Sequence, residues 1–114
     1  MCSKDVLDTV TEKVCAAAKE VVGDKLEKVL LYGSYARGDY DEYSDVDIFI
    51  LADIPQEDCC GIGSKIDSLT SDLDLEYNII ICPHVTSSAI FNTYSQTLPF
   101  FMNVIKDGVE LYAA

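Results

Sequence analysis

Apolar residues along the first fifth of the chain recur at intervals of three and four: Val6, Leu7, Val10, Val14, Ala17, Ala18, Val21 and Val22. That spacing predicts an amphipathic helix over residues 4–22, with Ser3 placed to cap its start and Gly23 to stop it. Val29-Leu30-Leu31-Tyr32 and Val46-Asp47-Ile48-Phe49-Ile50-Leu51 are short apolar runs rich in branched and aromatic side chains, and both read as buried strands. The small, polar stretch 33–44 between them must turn the chain and has room for one helical turn. After Pro55, suited to a first helical position, Ile62, Ile66 and Leu69 predict a helix to about Asp72, weakened by Gly61 and Gly63. Residues 75–82 are predicted as a third strand ended by Pro83. Helical spacing returns over about 87–97 and again near 100–106, before a strand or extended end at 108–112. This order predicts an α/β (α+β) fold, a small mixed β-sheet with helices packed on it.

With 114 residues the chain is expected to form one domain spanning 1–114, with no separate substrate-binding domain, so anything large must be recognised through a partner. A hydrophobic fraction of 49% and a charged fraction of 25% are those of an ordinary soluble protein. No apolar run approaches the roughly 20 residues needed to cross a bilayer, and no membrane association is expected. Met1-Cys2-Ser3-Lys4-Asp5 lacks the basic region and apolar core of a secretory signal, which predicts a cytoplasmic location. The five cysteines, Cys2, Cys15, Cys59, Cys60 and Cys82, form no Cys-x-x-Cys pair, and His84 is the only histidine. They are read as reduced and mostly buried, because adjacent cysteines such as Cys59 and Cys60 seldom reach disulfide geometry. A formal charge of -12 excludes the usual route to binding long nucleic acid, in which Lys and Arg displace phosphate counterions. A triphosphate carried with a divalent cation is still compatible, since the cation offsets the repulsion.

The chemistry concentrates between residues 33 and 47. Asp45 and Asp47 are two apart at the mouth of a strand, so both carboxylates point to one face. Two like charges held that close are costly unless cations bridge them, although a bare Asp-x-Asp in an acidic chain is more often a solvated pair. Gly33-Ser34 directly after a buried strand changes that balance. Glycine lets backbone approach a phosphate, and the Ser34 hydroxyl with nearby amides can donate to its oxygens. Ser44 adjoins the acid pair. Arg37, the one cationic side chain between Lys28 and Lys65, suits either a phosphate oxygen or a structural ion pair. Tyr35, Tyr40 and Tyr43 are read as packing or loop residues, and His84 as a surface residue.

Gly33-Ser34, ten residues, then Asp45-x-Asp47, within Gly-Ser-x-Ala-Arg-Gly and Ser-Asp-x-Asp, resembles the nucleotidyltransferase motif of the DNA polymerase β superfamily and its minimal nucleotidyltransferase branch. The tail from Leu98 to Val109 is similar to the C-terminus of small bacterial or archaeal members. The resemblance implies a polymerase β-like fold and transfer of a nucleotide, AMP from ATP, with pyrophosphate released. It implies two Mg²⁺ ions, with Mn²⁺ a substitute, on Asp45, Asp47 and a third carboxylate from a neighbouring strand. Asp74 is favoured for that place and Glu76 is the other candidate. Gly33, Ser34, Arg37 and Ser44 are then the nucleotide-binding residues. Minimal members commonly act as antitoxins that adenylylate a tyrosine of a helical toxin, which makes such a toxin the expected partner; an oligomer is compatible with the sequence. An aminoglycoside-type small-molecule transferase and a non-catalytic antitoxin acting by occlusion are the competing readings.

Overall fold

The computed structural model describes residues 3–41 and 44–114; Met1, Cys2, Glu42 and Tyr43 lie outside the described residues. The first helix, α1 (Lys4–Val22), starts where the sequence places it, with the Val6 N–H donating to Ser3 Oγ at 3.2 Å. It ends at Gly23, whose φ of 66° lies in the left-handed region. A 3-10 turn then leads into β1 (Leu26–Tyr32), which begins three residues before its apolar run. The polar segment contains the single helical turn α2 (Ser34–Arg37), closed by Gly38 at φ 84°. It is followed by β2 (Val46–Ala52), buried along nearly its whole length.

The next two elements correct the sequence reading. Helix α3 (Gln56–Tyr77) runs five residues beyond Asp72, and the third strand, β3, is Ile81–Ser87 rather than 75–82. Asn78 adopts the left-handed conformation at φ 53°, an αL cap that stops α3 and lets the Ile79 N–H return to the Asp74 carbonyl at 3.1 Å. Pro83 does not end β3 but lies within it. The sheet order β3-β2-β1-β4 makes β3 an edge strand, and an edge tolerates a residue with no N–H on its outer side. The Val46 N–H donates to the Ile80 carbonyl, so Ile81, Pro83, Val85 and Ser87 direct their backbone polar groups outward by alternation. Helices α4 (Ser88–Tyr94) and α5 (Pro99–Asp107) follow, and β4 (Val109–Ala113) closes the sheet.

β1 pairs antiparallel with β2 and β4, while β2 and β3 are parallel and joined through α3, giving a mixed sheet. One face carries Val29, Leu31, Val46, Ile48, Ile50, Ile81 and Val85, which pack with α1 and α3 through Val10, Val14, Ala18, Ile66 and Leu73. The opposite face carries Leu30, Phe49 and Leu51 against Phe101 and Val104 of α5 and Phe91 of α4. Side-chain alternation along β2 puts Asp47 on this second face, beside Phe49. No helix among the described residues is long and apolar enough to cross a membrane.

Phe49 is fully buried and has ring contacts with Tyr32, His84, Phe91, Phe100 and Phe101, so it holds the second face together. Phe49→Ala should cost about 3–5 kcal/mol, read as a lowered urea midpoint at unchanged slope. Leu69→Ala, on an exposed position of α3, should stay within about 0.5 kcal/mol of wild type.

Candidate active site

The site is built where β1 ends beside the start of β2. Gly33, at φ 75°, turns the chain out of β1 into α2, and a Cβ in its place would run into the Asp47 carboxylate. Glycine is therefore required twice, for the backbone angle and for the approach. The turn α2 begins at Ser34, next to the glycine that meets Asp47, and closes on that glycine, whose carbonyl accepts from the Ala36 and Arg37 N–H groups at 3.1 Å. Tyr35 is buried and stacks on Tyr40 with centroids 4.4 Å apart, which packs the loop and agrees with the packing role read from sequence.

Asp45 and Asp47 share the outer end of one face, as their spacing requires. Asp47 is only partly exposed, and its carboxyl is pushed above the usual aspartate range, first by burial and then by Asp45; Arg37 acts in the opposite sense. Arg37 is itself held by two carboxylates. Its Nε donates to Asp39 at 3.1 Å and its Nη1 to Asp107 of α5 at 3.3 Å, the structural ion-pair role that the sequence left open beside the phosphate one. Ser44 sits in a turn before Asp45, where its Oγ accepts from the Asp41 N–H at 2.9 Å and lies 3.3 Å from Asp41 Oδ1.

Asp74 and Glu76 do not share a strand face. Both lie in the last turns of α3, where residues two apart point in nearly opposite directions, and Glu76 is exposed. Asp74 is partly buried; burial raises its pKa, and the Ile81 N–H partly offsets that. One of its oxygens, Oδ1, is buried with no hydrogen-bond partner.

The neighbouring-strand position across from Asp47 belongs to Cys82, a residue the sequence reading left among the inert thiols. Its Sγ lies 3.7 Å from Asp45 Oδ2, and its pKa is pushed up to about 11 by burial and by Asp45, Asp47 and Asp74. A neutral thiol thus stands between Asp74 and the acid pair. On the other flank Tyr32 pairs with Asp47 across β1 and β2, and its phenol is pushed up to about 12 by burial, Asp47 and Cys82. Cys82 could have been found from sequence only with β3 correctly started, because the cross-strand register depends on it.

Among the described residues no group of three or more His, Cys, Asp and Glu side chains is arranged to hold a metal ion. Asp45 and Asp47 nevertheless fit a hard divalent cation: they are acceptor-only oxygens, mutually repelling, and one is raised by burial. Mg²⁺ is commonly held by one or two carboxylates that leave its other positions to phosphate and water. Two clefts lined by described residues open away from the pair. One of about 490 Å³ opens at the far end of the second face around Leu30, Phe49 and Ile105. Another of about 500 Å³ follows β3 and α3 and reaches the acid pair only through Cys82.

Comparison with known proteins bears directly on this arrangement. Two inferred protein adenylyltransferases of Methanocaldococcus jannaschii are similar to the chain. One is 40% identical over 74 residues, 65% of this chain and 73% of the relative; the other is 35% identical over 96 residues, 84% and 88%. Among solved structures, a toxin–antitoxin crystal structure with AMP-PNP aligns at a TM-score of 0.55 with 18% identity, over 91% of this chain and 73% of that one. The tri-AMPylated Shewanella oneidensis HEPN toxin in complex with MNT antitoxin gives 0.54 and 16%, over 93% and 71%. At such identities the structural likeness is one of fold. The family model of the nucleotidyltransferase domain matches residues 12–96, which contain the Gly33-Ser34 turn, Asp45 and Asp47, and the chain belongs to that family.

Proposed function

We propose that the chain transfers AMP from ATP to a hydroxyl, and that the acceptor is a tyrosine of a helical toxin for which this protein is the antitoxin. The observation that carries the reading is the Gly33 turn closed against Asp47, which brings the backbone leading into Ser34 up to one carboxylate of the pair. The similarity to protein adenylyltransferases supports ATP and a protein acceptor. The net charge of -12 supports a protein acceptor over a nucleic acid.

In this reading Asp45 and Asp47 hold Mg²⁺, for which Mn²⁺ can substitute. Bound there, the cation supplies charge neutralisation and Lewis-acid polarisation of the triphosphate. Ser34, through its hydroxyl and its amide, orients the phosphates, and Gly33 allows their approach. Arg37, steered by Asp39 and Asp107, faces the same charge, and the Ser44 turn fixes the entry of β2. Asp74, with its unpartnered oxygen behind Cys82, is proposed to take the acceptor proton, the role of the third carboxylate. One observation favours a second reading: Cys82, rather than a carboxylate, faces Asp47 from β3, as in a nucleotide-binding antitoxin that acts by occlusion alone.

Asp45→Asn and Asp47→Asn should lower transfer by about 10²-fold or more with the fold kept, measured by mass spectrometry of the partner after incubation with ATP and Mg²⁺. In EDTA Asp47→Asn should raise the unfolding midpoint at pH 7. The native carboxyl of Asp47 titrates above its unfolded value, so the native state binds the extra proton and stability falls as pH rises from the ordinary aspartate range through the raised one. The variant should lack that fall.

Asp74→Asn should cut the rate far more than Glu76→Gln at saturating ATP and Mg²⁺. Equal, small effects would leave proton removal without a residue and turn the balance to occlusion. Cys82→Asp should raise transfer if the site lacks only a strand carboxylate.

ATP should bind weakly in EDTA and at least about tenfold tighter with Mg²⁺, because unscreened carboxylates meet a polyanion. One like-charge contact at 4 Å costs about 4 kcal/mol at an effective dielectric of 20, more than the roughly 1.5–3 kcal/mol of a charged hydrogen bond from Ser34. Isothermal titration decides this, and Ser34→Ala should weaken the Mg²⁺-dependent binding. Equal affinity with and without metal would refute the placement.

A further inference from the structure

On the face that carries Asp47, the next row of side chains along the strands is aromatic. His84 of β3 pairs with Phe49 of β2, their rings stacked at 6.0 Å with 12° between planes. Phe100, near the start of α5, lies over this row, 5.0 Å from the His84 ring, 6.0 Å from Phe49 and 5.6 Å from Tyr32. Phe49 is fully buried, whereas Phe100 is 38% exposed and His84 is exposed, so the row has a solvent-facing rim on the β3 side. The α5 helix that presents Phe100 is also tied to the α2 turn by Arg37 and Asp107 at 3.3 Å, which fixes the rim relative to the phosphate loop.

The sheet order gives the rim a direction. Gly33 and Ser34 follow β1, on one side of β2, while Cys82 and His84 are on β3, on the other. In phosphoryl transfer the attacking and leaving oxygens are roughly in line. If the pyrophosphate end is held at Gly33 and Ser34, the acceptor must approach Asp47 from β3, past His84 and Phe100. The acids near that approach, Asp45, Asp67 and Asp74, disfavour an anionic acceptor, and the aromatic lining of the rim is what favours a ring.

We infer that His84 and Phe100 form the wall that seats the aromatic ring of the acceptor side chain. The inference rests on the proposed transfer and names the acceptor side of that same site. Offset or edge-on ring contacts favour an aromatic over an aliphatic hydroxyl at such a wall, which makes it a determinant of acceptor choice.

Because His84 is the only histidine, its imidazole Cε1–H resonance is a unique reporter. The full chain is titrated at pH 8 with N-acetyl-tyrosinamide and, separately, with N-acetyl-serinamide. The tyrosine probe should shift the resonance saturably and the serine probe should not. Phe100→Leu, which keeps apolar bulk, should weaken the tyrosine probe by about fivefold with the unfolding midpoint little changed. Phe100→Ala should weaken it at least as much. Equal response to both probes, no response to either, or no loss in Phe100→Leu would overturn the proposal. So would displacement of the tyrosine probe by saturating Mg²⁺-ATP, which would assign the rim to the nucleobase. Asp45→Asn should leave the probe bound while removing Mg²⁺-dependent ATP binding, so failure of the transfer reading and failure of this one give different results.

Discussion

Two carboxylates held on one strand face, with glycine backbone pressed against the second, are the constraint around which the rest of the molecule is arranged. β2 sets the direction of Asp47, Gly33 lies against its carboxylate, Tyr32 and Cys82 pair with it across the strands, and burial raises the cost of its charge. Left alone, this is an electrostatic liability in a chain of net charge -12. Residues nearby reduce it only in part. Arg37 opposes the rise in the Asp47 pKa, yet its guanidinium is shared between Asp39 and Asp107. On the proposed function, this deficit of positive charge is what a cation-borne substrate fills, and part of the gain on binding would come from relieving it.

The same strand geometry explains which parts of the molecule were legible in sequence. α1 was readable from its period and its Ser3 and Gly23 ends, and β2 from a run of branched and aromatic residues that admits no helical reading. The Gly33 turn beside Asp47 and the shared direction of Asp45 and Asp47 were readable because motif spacing is local. The third strand was not. Its apolar run, Ile79-Ile80-Ile81, begins in the turn after α3, and the end of the helix depends on Asn78 accepting a left-handed backbone, which periodicity does not register. Pro83 then looked like a terminator because a Pro is excluded from central strands, and only the sheet order shows β3 to be at the edge. That shift removed Asp74 and Glu76 from the strand and put Cys82 opposite Asp47. Tertiary register, which no local pattern encodes, decided it.

The β3 edge shows how a small sheet manages an exposed strand. Of its outward positions, Ile81 turns its N–H toward Asp74, Pro83 has none, and the Ser87 N–H donates to Gln56 Oε1 at 3.1 Å. Both side chains come from α3, the crossover between β2 and β3, so the connection that makes the strands parallel also covers the edge. Addition of a foreign strand there would find few donors, and edge-to-edge aggregation is discouraged by the same means. Asp74 therefore has a structural task whatever chemistry it performs. Its second oxygen, buried and unpartnered, is not needed for that task. Asp74 thus combines an edge-facing position near the Ile81 N–H with a buried oxygen that has no partner.

Position along the sheet also separates what the motif specifies from what it does not. On the β1 side of Asp47 the Gly33 turn, Ser34 and Arg37 belong to the local motif, and on the proposed function they serve the phosphate. On the β3 side Cys82 and His84, with Phe100 of α5 over them, come from elements distant in sequence, and on the same proposal they serve the acceptor. The two sides are coupled mechanically, since α5 carries Phe100 near one end and Asp107, the partner of Arg37, at the other. A change in acceptor preference can then arise from α5 and β3 with the phosphate turn untouched. On that proposal, reaction type rests on a short stretch of sequence, whereas acceptor choice rests on packing and is to be sought on the sheet face rather than in the motif.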